Sequence, residues 1–222
     1  MKKYELTNQT ISVDNRTLYR IRAVKSFKTK RIFGNVNKDD LGGYVESENN
    51  LSQEGNCWVF DNAKVFDDAL VSDNAWVSDD AQIHGSACIS GDAIVFTEAK
   101  VYGKAQVSGH AQIYDKAKIS GNAQVYGCAL VFKNAWVYDN AQVYGCAQVF
   151  KDANVYDNAK VYGRAYINSN VNGATINISN LSVKEIVSLA QKLTKVCISL
   201  SIKHKKRIIN LLETHGYVPM TN

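Results

Sequence analysis

No stretch of the 222 residues approaches the apolar length needed to span a membrane. The opening Met1-Lys2-Lys3-Tyr4-Glu5 carries two lysines but no apolar h-region, so a secretory signal is not expected and a cytoplasmic location is. Five cysteines, an odd count without such a signal, argue against a disulfide framework. Ser-His-Asp arrangements, glycine-rich phosphate loops and Cys-x-x-Cys pairs are missing, which removes the usual signatures of acyl hydrolysis, nucleotide binding and structural zinc. Proline occurs once, while 45% of the residues are apolar, so the chain can bury a core as one elongated domain with caps.

What fills the chain instead is one six-residue frame, x-Ala-x-(Val/Ile)-y-z, which runs in nineteen copies without insertion from residue 56 to residue 169. Asn140-Ala141-Gln142-Val143-Tyr144-Gly145 is one copy. Every sixth residue from Val59 to Ile167 is Val or Ile, and the residue two before it is Ala except at Cys57, which opens the array. A small and an aliphatic residue on one face, separated by one outward residue, mark a short β-strand. A helix would carry a period of six around its circumference, and Gly or Asp-Asn turn formers recur in each copy. Strands this short bury nothing alone, so the chain must coil and stack turn on turn. Three copies per coil predict a left-handed parallel β-helix of about six coils, roughly 30 Å long at a rise of about 4.8 Å. The aliphatic fills the interior and Ala lies near the corners, where a larger side chain does not fit.

Ahead of the array stand Leu41-Gly42-Gly43-Tyr44-Val45-Glu46 and Leu51-Ser52-Gln53-Glu54-Gly55-Asn56-Cys57-Trp58-Val59. These runs, with the array, make roughly residues 15–173 resemble the YdcK-like hexapeptide-repeat proteins of enteric bacteria and of phages and prophages. That resemblance implies a left-handed β-helix and a trimer, and of the two sources a phage or prophage origin is the one expected here. It also implies kinship in fold with acetyl- and acyltransferases, without supplying catalytic residues, and fold alone does not give function.

Three segments follow: a β-hairpin cap over 1–55, the β-helix over 56–173 and a helical extension over 174–222. In the first, Thr10–Val13 and Leu18–Arg22 are expected to pair across an Asp14-Asn15 turn, followed by a basic loop with Lys25, Lys28, Lys30 and Arg31. In the last, Ser182 and Glu185 form a capping box ahead of Ile186, Leu189, Ala190, Leu193 and Val196 at helical spacing. A second helix is expected from about Ser201 to Thr214, with Lys203, Lys205, Lys206 and Arg207 at its start, where the helix dipole does not favour them. The array is mildly acidic, with nine Lys/Arg against twelve Asp/Glu, and the tail is basic, with seven against two. A nucleic-acid role is not expected from one basic cluster.

Residues eighteen apart stack in neighbouring coils, which sorts the outward positions into three faces. The first carries Trp58, Phe60, Trp76, Ile94, Phe96, Tyr114, Leu130, Phe132, Phe150 and Tyr166. A stripe of that size should be covered, by the chain's own ends or by a threefold interface between copies. On the second, Lys64, Lys100 and Lys118 interleave with Tyr102, Trp136 and Tyr138, a pattern able to hold a small anion by charge and stacking. The third ends in Tyr126, Tyr144 and Tyr162.

His84 and His110 are the only histidines of the array, and they are candidates for an acyltransferase base although no loop protrudes to shape an acceptor pocket. They lie in different columns. Asn74, Asp92, His110, Cys128, Cys146 and Arg164 form one column at a turn, where Cys128 and Cys146 should be neighbours within disulfide range. A straight row does not offer the converging ligands of a metal site. The sequence thus predicts a non-enzymatic homotrimeric binding protein without a cofactor. Its target is a host protein or a small anionic ligand, and obstruction of a host immune component is one such role. The alternatives are a CoA-dependent acyltransferase and a structural part of a phage particle.

Overall fold

The computed structural model describes residues 2–28 and 34–177. Within them the six-residue frame folds into a parallel β-solenoid. Two-residue strands recur at each frame, beginning Trp58–Val59, Lys64–Val65 and Leu70–Val71. Each pairs in parallel with the strand eighteen residues on, as Lys64 with Gln82, Gln82 with Lys100 and Lys100 with Lys118. The side chains at the Val/Ile and Ala positions point inward and are buried along the whole coil. The outward residues between them donate their amides to the next coil, as Lys64 N to Ala81 O at 2.9 Å and Phe66 N to Ile83 O at 3.0 Å. A two-residue strand has no stability of its own, so each rung is held by its neighbours.

From Trp58 onward each face carries seven rungs among the described residues, one more than the expected six. On the first face all seven lie within the frame, from Trp58–Val59 to Tyr166–Ile167, whereas the other two faces gain their seventh past Ile167, where the frame contracts: Val171 pairs with Val155 and Ile176 with Val161, shortening the coil by two to three residues. The coil also starts before residue 56, because Leu41–Val45 pairs in parallel with Lys64–Val65 and Leu51 bridges to Val71. Strict periodicity marks the middle of the solenoid and misses both ends.

The corners are held by the last residue of each frame, which adopts positive φ. Glycine takes many of these positions, but so do Asp67 at 58°, Asp79 at 56°, Lys133 at 59° and Asp139 at 56°. Aspartate has a specific use there. Its Oδ2 accepts the amide of the equivalent residue one coil on, as Asp67 from Gly85, Asp73 from Gly91 and Asp79 from Thr97, each at 2.9 Å.

At the N-terminal side, Tyr4–Val13 and Arg16–Ala23 form the expected antiparallel hairpin across Asp14 and Asn15, with φ of 48° and 63°. Arg16–Ala23 pairs with Leu41–Val45, so the hairpin extends the second-face sheet to ten strands. Gly42 and Gly43 let that junction close: a Cβ would meet Val59 O at 2.5 Å from the former and Ala63 O at 2.6 Å from the latter. The helices expected beyond Ser179, Cys197 and the basic-loop residues Lys30 and Arg31 lie outside the described residues.

Candidate functional site

Stacking coils bring the first-face aromatics into register. Phe96, Tyr114, Phe132 and Phe150 form a continuous ladder with centroid spacings of 5.0, 5.0 and 5.3 Å, and Tyr166 closes it edge-on. Each ring covers its neighbours' faces, so these residues are half-buried within the single chain, and Ile94 beside them is only 6% exposed. Trp58, at the start of the same stripe, is buried under Tyr4 and Phe27, with centroids at 6.1 and 5.5 Å. Phe60 stacks on Trp76 at 4.2 Å. The ladder therefore presents ring edges outward, flanked by half-buried Leu130, while Tyr166 is 63% exposed. The chain shields part of its stripe without an outside cover.

The second face gathers its predicted residues but has them serve one another. Lys64 Nζ donates to Asn62 O at 3.0 Å, and Lys118 Nζ lies 5.7 Å from the Trp136 ring centroid. Where the aromatic column is interrupted by Ser120, the indole of Trp136 leans into the gap and donates from Nε1 to Ser120 Oγ at 2.9 Å. That contact buries the serine and places Trp136 against Tyr138, which stacks on Tyr156 at 5.1 Å. Tyr102 stacks on His84 and His84 on Phe66, at 5.1 and 4.9 Å, with rings parallel within 5°. Lys100 is half-buried beside them. Ring faces used in this way are not open to a base or a nucleotide.

Burial lowers the pKa of His84, and Lys100 adds to this while Asp67, 3.9 Å away, opposes it. Asp67 is itself held by Arg16 Nη2 at 2.5 Å. A histidine so enclosed cannot readily reach a substrate. His110 differs: it is 58% exposed and its Nδ1 lies 3.5 Å from Asp92 Oδ2.

The turn column is more organised than its sequence suggests. Asn56 Nδ2 donates to Asn74 Oδ1 at 3.3 Å, and Asn74 Nδ2 to Asp92 Oδ1 at 3.0 Å. Beyond His110, Cys128 and Cys146 are exposed free thiols in successive coils. Among the described residues no group of three or more His, Cys, Asp or Glu could hold a metal ion.

One residue and one contact escaped sequence reading. Lys3 is buried, and its Nζ donates to Cys57 O at 3.0 Å and Glu54 O at 3.3 Å while lying 3.2 Å from Cys57 Sγ. Burial lowers the Lys3 pKa and raises that of Cys57, each opposed by the other's proximity. The only visible signal was Cys57 standing where every other frame has Ala. The contact is that of Asp92, already placed in the turn column by its spacing of eighteen residues, whose two oxygens lie against Asn74 and His110.

Among the described residues no helix is long and apolar enough to cross a membrane. No protein-family model and no curated protein sequence matches the chain.

Proposed function

We propose that this chain is a non-enzymatic binding protein that self-associates through its first face, with a homotrimer as the assembly. The observation that carries the reading is the ladder Phe96, Tyr114, Phe132 and Phe150, a flat strip of aromatic edges beside Leu130 on a rigid sheet. Such a strip suits a protein surface better than a small molecule, because the ring faces are used up and only edges are offered. In this reading the coil has the left-handed sense of hexapeptide-repeat proteins and the N-terminal hairpin closes one end. The resemblance extends it to a phage-encoded protein that acts on a host protein in the cytoplasm.

A small anionic ligand on the second face has less support, since Lys64 and Lys118 already face a carbonyl and an indole of their own chain. An acyltransferase with His84 as base has little, for the same reason of enclosure.

Light scattering on the wild type and on Phe96→Lys/Phe132→Lys tests the proposal. A trimer that falls to monomer on substitution, with the β-rich circular dichroism unchanged, supports it. A wild type that is monomeric at tens of micromolar overturns it.

A further inference from the structure

The turn column holds a sequence of groups that the binding reading does not use. Asn56 and Asn74 pass hydrogen bonds to Asp92 Oδ1, which fixes that carboxylate, and its Oδ2 lies 3.5 Å from His110 Nδ1. The backbone sets the next member. The amides of Asp92, His110 and Cys128 donate to the carbonyls of Gly109, Gly127 and Gly145 at 2.7, 2.7 and 2.6 Å, so the three turns superpose with one coil rise between them. That rise is about 4.8 Å. An imidazole whose Nδ1 faces Asp92 turns Nε2 away from that carboxylate, and the turn one coil on carries the exposed thiol of Cys128, which must approach the ring to give up its proton.

We propose that Asp92, His110 and Cys128 form a nucleophilic row that accepts a small acyl group from an activated ester. His110 is the base toward the Cys128 thiol, and Asp92 is a positioning residue that holds the imidazole. In the reaction the thiol proton passes to His110 Nε2 and the Sγ–C bond forms. The carbon–oxygen bond to the leaving group then breaks, and the proton goes to the departing oxygen. The products are S-acyl Cys128 and a free alcohol or phenol, without any redox change. The Cys128 amide, committed to Gly145 O, is not free to stabilise an oxyanion. That lack bears on acylation and on hydrolysis alike, so the acceleration rests on His110, and S-acyl Cys128 is the product the proposal concerns. This inference is independent of the oligomeric state.

Cys146 is a built-in reference: it occupies the same turn position one coil on, is exposed, and donates its amide to Gly163 O at 2.7 Å. Its column neighbours are Cys128 and Arg164, so no histidine stands beside it. The full chain, treated with limiting p-nitrophenyl acetate and mapped by peptide mass spectrometry, should carry acetyl on Cys128 at least about 10-fold faster than on Cys146. His110→Ala should bring Cys128 down to the rate of Cys146. Asp92→Asn should slow Cys128 and move the pH profile of its alkylation by iodoacetamide, which a purely structural role would leave in place. Equal labelling of the two cysteines, or a Cys128 rate indifferent to His110→Ala with the fold intact by circular dichroism, overturns the proposal. An unmoved pH profile in Asp92→Asn removes Asp92 from it.

Discussion

Trp136 donates from its indole Nε1 to Ser120 Oγ, 2.9 Å away and one coil back, and so fills the single gap in an aromatic column that runs from Phe66 to Tyr156. Ser120→Ala should cost about 1 kcal/mol, the worth of one hydrogen bond whose indole donor can turn partly to water. The loss is read as a shift in the urea midpoint. Red-shifted fluorescence that disappears in the Trp136→Phe background would assign the shift to that indole.

The corner aspartates predict a contrast between two substitutions at one position. Asp79 combines positive φ with an acceptor for the Thr97 amide. Asn keeps both properties and Ala keeps neither, so Asp79→Asn should be near neutral and Asp79→Ala should cost roughly 1–2 kcal/mol. Hydrogen exchange at the Thr97 amide should quicken in the Ala variant alone.

His84 should make the protein acid-sensitive. Its folded pKa lies below the ordinary 6.5, chiefly through burial, with Lys100 adding to that effect and Asp67 opposing it. In the interval between the folded and ordinary values the unfolded chain binds a proton that the folded chain refuses. Stability from this residue is thus whole above pH 6.5 and is lost as pH falls from there toward the folded pKa. His84→Phe, which continues the Phe66 to Tyr102 stack, should flatten that part of the stability profile. An NMR titration placing the imidazole of the wild type above 6.5 would contradict the sign.

Lys3 predicts a coupling between the N-terminal strand and the first coil. Its ammonium donates to the carbonyls of Glu54 and Cys57. Lys3→Met preserves the stem and removes the donor, so it should cost roughly 1–3 kcal/mol for buried acceptors left without a partner. Because Cys57 is buried and meets a reagent only when the strand opens, the easier opening should also speed its reaction with a disulfide reagent, against the slower thiol ionisation that loss of the ammonium brings, while the already exposed Cys128 and Cys146 react at unchanged rates.

These predictions rest mostly on contacts that the sequence did not show. Periodicity carried the solenoid, its eighteen-residue register and the sorting of side chains into faces, because a strict frame leaves little choice about what stacks on what. It could not carry the behaviour of long side chains within a column. Trp136 bends toward the previous coil instead of standing in its own row, and His84 is sandwiched where an outward position suggested an open surface. The ladder at Phe96 satisfies much of its own burial, so the apolar stripe asks less of a partner than its composition implied. The final rung was missed because the step from Ile167 to Val171 is four residues rather than six, a corner trimmed without loss of pairing.

The register of eighteen residues also sets how such a chain can change length. Excising one whole coil, for example residues 104–121, returns every downstream side chain to the face it left, and merely shortens the rod by about 4.8 Å. Excising a single six-residue copy keeps the interior equally apolar, yet turns everything beyond the cut by one third of a revolution and splits each surface column between two faces. The interior is indifferent to which copy is lost, whereas the surface keeps count in threes.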